Sequence, residues 1–397
     1  MKNLKLVGQW TLSAPLVFVL GCAVETANEQ DLLTLEDVQS TEQAAGQSSP
    51  ISSWNDLVNM GSTGTYHLTN DIEAQGKVWT PKDFSGTLDG RKKKIKNLTI
   101  NSSNAAFFGY LSGATVKDLR FTNLKATGSW VAGGLAASSV DSQIEGVAVE
   151  GTVGGWYSAG GLISHMQGGR VTRSYFKGKI QTANYYAGGL VAVASKGTGE
   201  AQAGLATIER SYAQGVTEGN RLVLVAPDTS DSNRTVIAGG IAGLASAVDI
   251  HDVYAVGDVT GRNVVGGLVG QLTCNGPDWL LYKGIYRGGD VVDKGKNGWA
   301  GTVGAWANCK ARFTHLSWDS SLDPSPNYLN DPASLYAQRP GTTSEHKTPT
   351  LPYEGFYCVY PSYCPNDNNF DTAYWDAGSQ SQHHILKNMP DLNAQLR

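Results

Sequence analysis

Charge, proline and cysteine are all scarce in this 397-residue sequence. Charged residues make up only 17% of the chain, which is too few for a coiled coil or an ordinary helical bundle. The 31 basic residues do not outnumber the 35 acidic ones, so a dedicated nucleic-acid partner is excluded. A hydrophobic fraction of 41% excludes a disordered chain, and 48 glycines with short β-prone pieces between them favour an all-β fold.

The first 22 residues have the pattern of an export signal. Two early lysines precede a mostly apolar stretch that ends in Val19-Leu20-Gly21-Cys22, and this ending resembles the lipobox of bacterial lipoproteins. The resemblance implies that residues 1–21 are a signal peptide and that Cys22 carries a lipid, with a plain secretory signal as the alternative. Residues 22–50 are then the membrane anchor and a flexible tether. Ala23 implies the outer membrane, on its periplasmic or cell-surface side.

A diglycine phrase recurs five times, with 27, 28, 51 and 27 residues between successive first glycines. A second phrase, which includes Ser174-Tyr175 and Ser211-Tyr212 and ends in a glycine and a β-branched residue, follows the first four copies. The long spacing predicts one coil with two inserted loops, around residues 196–205 and 221–235. The five copies are Ala132–Leu135, Ala159–Leu162, Ala187–Leu190, Ala238–Ile241 and Val265–Leu268.

Each repeat holds three short strand-like pieces separated by glycine turns, and this pattern is typical of a three-faced solenoid. We therefore predict a right-handed parallel β-helix over residues 51–310. A β-sandwich is the alternative, but it does not explain the 27-residue spacing. The β-helix predicts one internal ladder made of Leu135, Leu162, Leu190, Ile241 and Leu268.

The diglycine phrase with its following Ser-Tyr and Gly-x-Val elements resembles the GLUG-motif repeat of bacterial surface proteins. Trp54–Leu57 and Phe84–Gly90 resemble the opening coils that precede such repeats, and Tyr374–Asp376 resembles the tail that closes them. The resemblance implies an exported β-helical surface protein. It implies little about activity, because such repeats occur in adhesins, in accessory modules and beside peptidases.

Residues 311–397 break the period and are rich in proline, which predicts an irregular C-terminal cap. Four cysteines remain besides Cys22, and an even number in an exported protein predicts two disulfides. Of the three possible pairings we prefer Cys274–Cys309 with Cys358–Cys364. Zinc binding is the alternative, which the absence of a Cys-x-x-Cys pair disfavours.

The sequence contains no His-Glu-x-x-His, Gly-x-Ser-x-Gly or phosphate-loop motif, and this favours a non-catalytic protein without a cofactor. Asp249 and His251 would share one outward strand face and are the candidates for a general acid–base pair, whereas Asp252 would point the other way. A solvated strand edge is the alternative. Candidate metal ligands, with an ordinary polar loop as the alternative for the first three, are Asp228, Asp231, Asn233 and the pair His383-His384.

Aromatic residues precede the first three diglycine phrases, at Trp130, Trp156, Tyr157, Tyr185 and Tyr186. Three of them fall at the same offset and predict a stacked ladder, which stops where Val236 and Asn263 take that position. The ladder offers apolar faces with polar rims for sugar rings or an extended partner chain. Structural packing that shields a turn is the alternative.

The sequence thus predicts a lipid-anchored, non-catalytic envelope protein that presents a rigid β-helix for adhesion. Its expected partners are the membrane, through the N-terminal lipid, and a surface glycan or envelope protein. A β-helical polysaccharide lyase or glycoside hydrolase is one alternative function. A structural component of an envelope assembly is the other.

Overall fold

The structure is a computed structural model that describes residues 48–197, 204–219, 221–227 and 234–273, followed by short strand segments between 280 and 386. The predicted signal peptide, Cys22 and most of the predicted tether lie outside the described residues. The same holds for the four remaining cysteines, so the disulfide-linked cap stays a prediction.

One short helix, α1 (Trp54–Asn59), lies near the start of the described chain, and the other regular elements described are strands. Nine strands precede the repeated phrases: β1 (Ser49–Ile51), β2 (Thr65–Leu68), β3 (Ile72–Glu73), β4 (Lys82–Phe84), β5 (Thr87–Asp89), β6 (Lys94–Lys96), β7 (Thr99–Ala105), β8 (Phe108–Ser112) and β9 (Thr115–Lys117). Nineteen follow in the repeat region: β10 (Arg120–Gly133), β11 (Ala136–Val140), β12 (Gln143–Glu145), β13 (Ala148–Gly155), β14 (Ser158–Gly160), β15 (Ile163–Gln167), β16 (Arg170–Thr172), β17 (Tyr175–Thr182), β18 (Tyr185–Gly188), β19 (Val191–Ser195), β20 (Ala206–Gln214), β21 (Val216–Glu218), β22 (Arg221–Pro227), β23 (Val236–Gly239), β24 (Ala242–Ser246), β25 (Val248–Val256), β26 (Asp258–Gly261), β27 (Asn263–Gly266) and β28 (Val269–Thr273). The described segments beyond them are β29 (Leu280–Arg287), β30 (Val291–Asp293), β31 (Trp299–Gly301), β32 (Gly304–Ala307), β33 (Arg312–Thr314), β34 (Ser317–Asp319), β35 (Lys347–Thr348), β36 (Trp375–Asp376) and β37 (Ile385–Leu386).

The fold is all-β and is built from parallel sheets. An eight-stranded sheet runs in the order β32-β28-β24-β19-β15-β11-β8-β4, so each strand pairs with the strand one repeat earlier and one repeat later. A larger sheet of 27 strands holds most of the rest, and β36 pairs with β37 in a third. Parallel pairing continues into β33 and β34, which lie beyond residue 310, where the sequence placed the end of the repeats.

The diglycine phrases lie one above another, as the spacing predicts. Gly133 pairs with Gly160, and Gly160 with Gly188. The register then continues from Gly188 to Gly239 and from Gly239 to Gly266. The 51-residue spacing is therefore a single coil that carries extra chain.

The extra chain differs from the prediction at its second insertion. The sequence assigned residues 221–235 to an inserted loop. Instead, β21 and β22 form an antiparallel hairpin directly after Gly215, and Val225 pairs with Ile180.

The apolar side chains meet in one continuous interior cluster. The predicted ladder is confirmed, because Leu135, Leu162, Leu190, Ile241 and Leu268 are all fully buried. Burying each of these side chains contributes about 1.5–3 kcal/mol before the conformational entropy cost is counted. Hydrogen bonds between coils run through the same positions, for example from the Leu135 amide to the Leu162 carbonyl at 2.8 Å.

The N-terminal coils are filled by larger side chains. Trp79 stacks on Phe107 with 4.6 Å between ring centroids, and its indole Nε1 donates to the Phe107 carbonyl at 2.7 Å. Helix α1 begins with a capping box, in which the Asp56 amide donates to Ser53 Oγ at 3.2 Å and the Ser53 amide donates back to Asp56 Oδ2 at 2.9 Å. Among the residues that the structure describes, no helix is long and apolar enough to cross a lipid bilayer.

Candidate functional site

Five aromatic side chains form a continuous surface feature, which we call the aromatic ridge: Trp130, Trp156, Tyr157, Tyr185 and Tyr186. Strand pairing places them on three successive coils, because Val131 pairs with Ser158 and Ser158 pairs with Tyr186. The predicted ladder end is also confirmed, since Tyr185 pairs with Val236 and Val236 with Asn263.

The rings stack from coil to coil. The Trp130 and Tyr157 centroids are 4.7 Å apart with an interplanar angle of 20°, and the Tyr157 and Tyr185 centroids are 4.6 Å apart with an angle of 35°. Trp156 lies beside Trp130 at 5.5 Å. These separations match the spacing of parallel strands, so the backbone register itself sets the ring stack.

Three rings of the aromatic ridge are exposed to solvent, and two pack against other side chains. Trp130, Trp156 and Tyr185 keep 47%, 39% and 40% of their surface accessible. Tyr157 instead packs on the small cluster of Ala106, Val131 and Ala137, and Tyr186 packs on Ile237 and Val264. Packing therefore holds two rings of the ridge, and the other three keep part of their surface open to solvent.

Burial and the Arg234 guanidinium both affect the electrostatics of the ridge. Partial burial, with the neighbouring Tyr157 and Tyr185 as lesser causes, raises the pKa of the Tyr186 phenol, so this ring carries a neutral hydroxyl. The Arg234 guanidinium lies over the Trp156 ring at 5.6 Å from its centroid. Tyr185 has a φ of 54°, which is unusual for a bulky residue and marks a local backbone constraint beneath an exposed ring.

A second group of polar side chains surrounds His251. Its Nε2 lies 3.2 Å from Glu209 Oε2 and its Nδ1 lies 3.3 Å from Asp252 Oδ2. Glu209 is only 2% exposed and also accepts from Arg170 Nε at 2.7 Å. We call Arg170, Glu209, Arg210, His251 and Asp252 the ionic cluster.

The ionic cluster corrects the predicted geometry of the acid–base candidates. His251 contacts Asp252, which the sequence directed to the opposite face. The reason is a φ of 52° at Asp252, a left-handed turn that breaks the alternation of a regular strand. Because both ring nitrogens of His251 face carboxylates, the arrangement favours an ion-pair network that ties strands β16, β20 and β25 together over a free general base.

Sequence reasoning missed Glu209 and Arg234. Glu209 and His251 are 42 positions apart, and only the strand register that pairs them directly reveals their contact. Arg234 belongs to the inserted region, where no repeat pattern exists to align it. The remaining predicted ligands, Asp228, Asp231, Asn233, His383 and His384, lie outside the described residues, and no group of three or more His, Cys, Asp or Glu suited to a metal occurs among the residues that are described.

Comparison with known proteins gives a family match at the start of the described chain. The model for the M26 IgA1-specific metallo-endopeptidase N-terminal region matches residues 44–151. Over 227 residues the chain is 31% identical to an immunoglobulin A1 protease of Streptococcus pneumoniae serotype 4, and the match covers 54% of this chain and 10% of that protein. Over 320 residues it is 29% identical to Halomucin of Haloquadratum walsbyi, covering 62% of this chain and 3% of that one.

A solved structure is also similar. The crystal structure of a candidate immunoglobulin A1 protease from Bacteroides ovatus has a TM-score of 0.46 and 17% sequence identity, and covers 86% of this chain and 92% of its own. The chain spans about a tenth of the length of the streptococcal relative.

These matches correct the sequence-based assignment of family and function. The resemblance to GLUG-motif proteins is wrong, because the family model that matches is the M26 N-terminal region. The expectation of a lipid-anchored, non-catalytic adhesin is wrong for the same reason, and neither a carbohydrate-active enzyme nor an envelope scaffold has support in the M26 match. What the chain resembles, over 54% of its length, is an immunoglobulin A1 protease.

Proposed function

We propose that this chain is an exported protein similar in function to the immunoglobulin A1 proteases. In this proposal the strands that carry the aromatic ridge bind the substrate immunoglobulin. The observation that carries the proposal is the M26 N-terminal match over residues 44–151, which contains Trp130 at the start of the ridge. The streptococcal relative, similar over a longer stretch, supports the same class.

The fold supports a binding role for these strands, and we propose that they wind as a right-handed parallel β-helix. Each strand of the eight-stranded sheet pairs in parallel with its equivalent one coil away. Connections between parallel strands of one sheet are nearly always right-handed. A rod of this kind keeps side chains of successive coils at a fixed spacing, so a partner meets a preorganised surface and loses less entropy on binding.

The chemistry of the aromatic ridge suits a protein partner. Trp and Tyr are enriched among the residues that contribute most to protein–protein affinity, because they bury large areas with few rotatable bonds. Three ridge rings are substantially exposed, and the other two, Tyr157 and Tyr186, are held by packing. The exposed rings are therefore already fixed in position before a partner arrives.

Binding of immunoglobulin A1 to immobilised protein, measured by surface plasmon resonance, tests the proposal. Trp130→Ala and Tyr185→Ala should each weaken binding by about tenfold or more if they are central contacts. Tyr110→Ala is the matched control, because Tyr110 on β8 is 39% exposed and makes no ring contact with the aromatic ridge. Thermal unfolding of every variant confirms that the fold is retained.

Two results would overturn the proposal: wild-type protein that does not bind immunoglobulin A1, or ridge variants that bind as tightly as Tyr110→Ala. Immunoglobulin G serves as the non-substrate control. Incubation of the chain with immunoglobulin A1, with and without a zinc chelator, asks separately whether the chain also cleaves its partner.

A further inference from the structure

A groove of about 400 Å³ opens on the outer surface beside the aromatic ridge. Trp156 forms one wall, and Gly154 and Gly155 form the floor. Thr127 and Gln181, from the coils before and after, flank the floor. The volume lies in the range of small-molecule sites.

The groove exists because Gly154 has no side chain. Thr127, Gly154 and Gln181 occupy equivalent positions on three successive coils, with side chains on the first and third. A Cβ atom at Gly154 would meet no heavy atom closer than 3.8 Å, so the space above this residue is open. Gly155 differs, since its Cβ would overlap the Ser158 carbonyl.

The lining has the chemistry of a site for a neutral sugar ring. The Trp156 side chain is 39% exposed, with the Trp130 ring centroid 5.5 Å and the Arg234 guanidinium 5.6 Å from the centroid of its own ring. Thr127 and Gln181 are exposed, and among the described residues neither side chain has a hydrogen-bond partner. A hydroxyl and a carboxamide thus remain available for the hydroxyl rim of a pyranose, whose C–H face can lie on the indole. Among the residues that the structure describes, those that line the groove carry no acidic or basic side chain.

An extended peptide fits this groove less well. Strand β13, which forms the floor, pairs with β10 on one side and β17 on the other. Its backbone groups are therefore used, and no free strand edge is present there for a peptide to extend the sheet. The lining residues that are described also carry no charge that could pair with charged peptide side chains, and Arg234 is already engaged with the Trp156 ring.

We propose that this groove is a subsite for one neutral sugar ring of a glycan carried by the substrate protein. The assignment rests on the proposed function for the identity of that protein, but the chemistry of the groove stands on its own residues. Trp156 then serves both the ridge and the subsite.

Gly154→Val is the direct test, because it fills the groove from a floor position where the added side chain meets open space. Thr152→Val is the matched control, on the same face of β13 but outside the groove. Gln181→Ala is a second variant that removes a polar flank and leaves the backbone unchanged. The probes are neutral oligosaccharides released from immunoglobulin A1, intact immunoglobulin A1, and the same protein after enzymatic deglycosylation.

We expect Gly154→Val to weaken oligosaccharide binding by about tenfold or more, Gln181→Ala to weaken it by several-fold, and Thr152→Val to leave it unchanged. Deglycosylation should lower the affinity of the wild-type protein for immunoglobulin A1 to that of Gly154→Val. Failure of the wild-type protein to bind the oligosaccharides would overturn the subsite. Equal weakening by Gly154→Val toward intact and deglycosylated immunoglobulin would also overturn it and would assign the groove to peptide.

The two proposals fail separately. Oligosaccharide binding that Gly154→Val abolishes, without any binding of intact immunoglobulin A1, would support the subsite and refute the immunoglobulin assignment. Ridge-dependent binding of immunoglobulin that neither Gly154→Val nor deglycosylation affects would refute the subsite and keep the proposed function.

Discussion

His251 lies across the coil boundary from Glu209, with its Nε2 3.2 Å from a carboxylate oxygen that is almost completely shielded from solvent. Arg170 contacts the same carboxylate from the preceding coil. One acidic side chain therefore joins basic groups from the coils on either side of it, and removing its charge should loosen both contacts.

Glu209→Gln should reduce the free energy of unfolding by about 2 kcal/mol, which is below the ~3–5 kcal/mol typical of a fully buried pair because the basic partners reach solvent. Chemical denaturation measures the change. Glu145→Gln is the control at the equivalent position two coils earlier, where the side chain is 46% exposed beside Arg173. We expect a loss there of less than about 1 kcal/mol, and equal losses at both sites would contradict the role of burial.

Asp118→Asn should stabilise the protein at neutral pH. Burial, with repulsion from Asp89 as the next cause, raises the pKa of Asp118 from its ordinary 3.8, so its charged form is disfavoured in the folded state. Its φ of 49° is a conformation that asparagine also tolerates.

The stabilisation by Asp118→Asn should be under about 1 kcal/mol, because the carboxylate is partly solvated. It should be fully present above the folded pKa, shrink as the pH falls through that pKa toward 3.8, and vanish below 3.8, where the wild-type carboxyl is protonated in both states. Urea unfolding at about pH 7 and about pH 3 checks the sign. A stabilisation that is the same at both pH values would refute the electrostatic cause.

His165 should make the protein less stable in mild acid. Burial lowers the pKa of this imidazole below its ordinary 6.5, and the ring lies 6.3 Å from that of Tyr157 in the aromatic ridge. As the pH falls below 6.5 the unfolded chain takes up the proton first, so the free energy of unfolding drops until the folded pKa is passed. The stability of His165→Gln should depend less on pH across that window. Denaturation curves at about pH 8 and about pH 5 measure the difference, and parallel loss in both proteins would argue against His165 as the source.

Gly161→Ala should be severely destabilising, whereas Gly154→Ala should be close to neutral. A Cβ atom at Gly161 would overlap the Gly189 carbonyl oxygen and the Phe176 ring. A Cβ atom at Gly154 would meet open space. We expect a loss of more than about 3 kcal/mol at Gly161 and of less than about 1 kcal/mol at Gly154. Thermal unfolding compares the two, and similar melting temperatures would show that close approach is not the reason for the diglycine phrase.

The periodic part of the fold could be predicted from the sequence, because register follows from repetition. Leu135 and Leu162 hold equivalent places in equivalent phrases, and the structure buries both completely. The same argument aligned Trp130, Tyr157 and Tyr185 correctly. It could not find the contact between Glu209 and His251, since the inserted hairpin makes their separation irregular and the turn at Asp252 changes which face each side chain uses. Function was predicted least well: the diglycine phrase specifies a way of stacking strands, and stacking alone does not identify a partner.

The hairpin after Gly215 shows how a stack of parallel strands can gain residues without a change of register. Gly188 and Gly239 remain paired although 51 positions separate them in the chain, so the additional residues leave the alignment of the coils on either side intact. Length variation is thereby confined to the periphery. Segments that recognise a partner can therefore be inserted or removed at this hairpin while the hydrophobic interior keeps the same repeat.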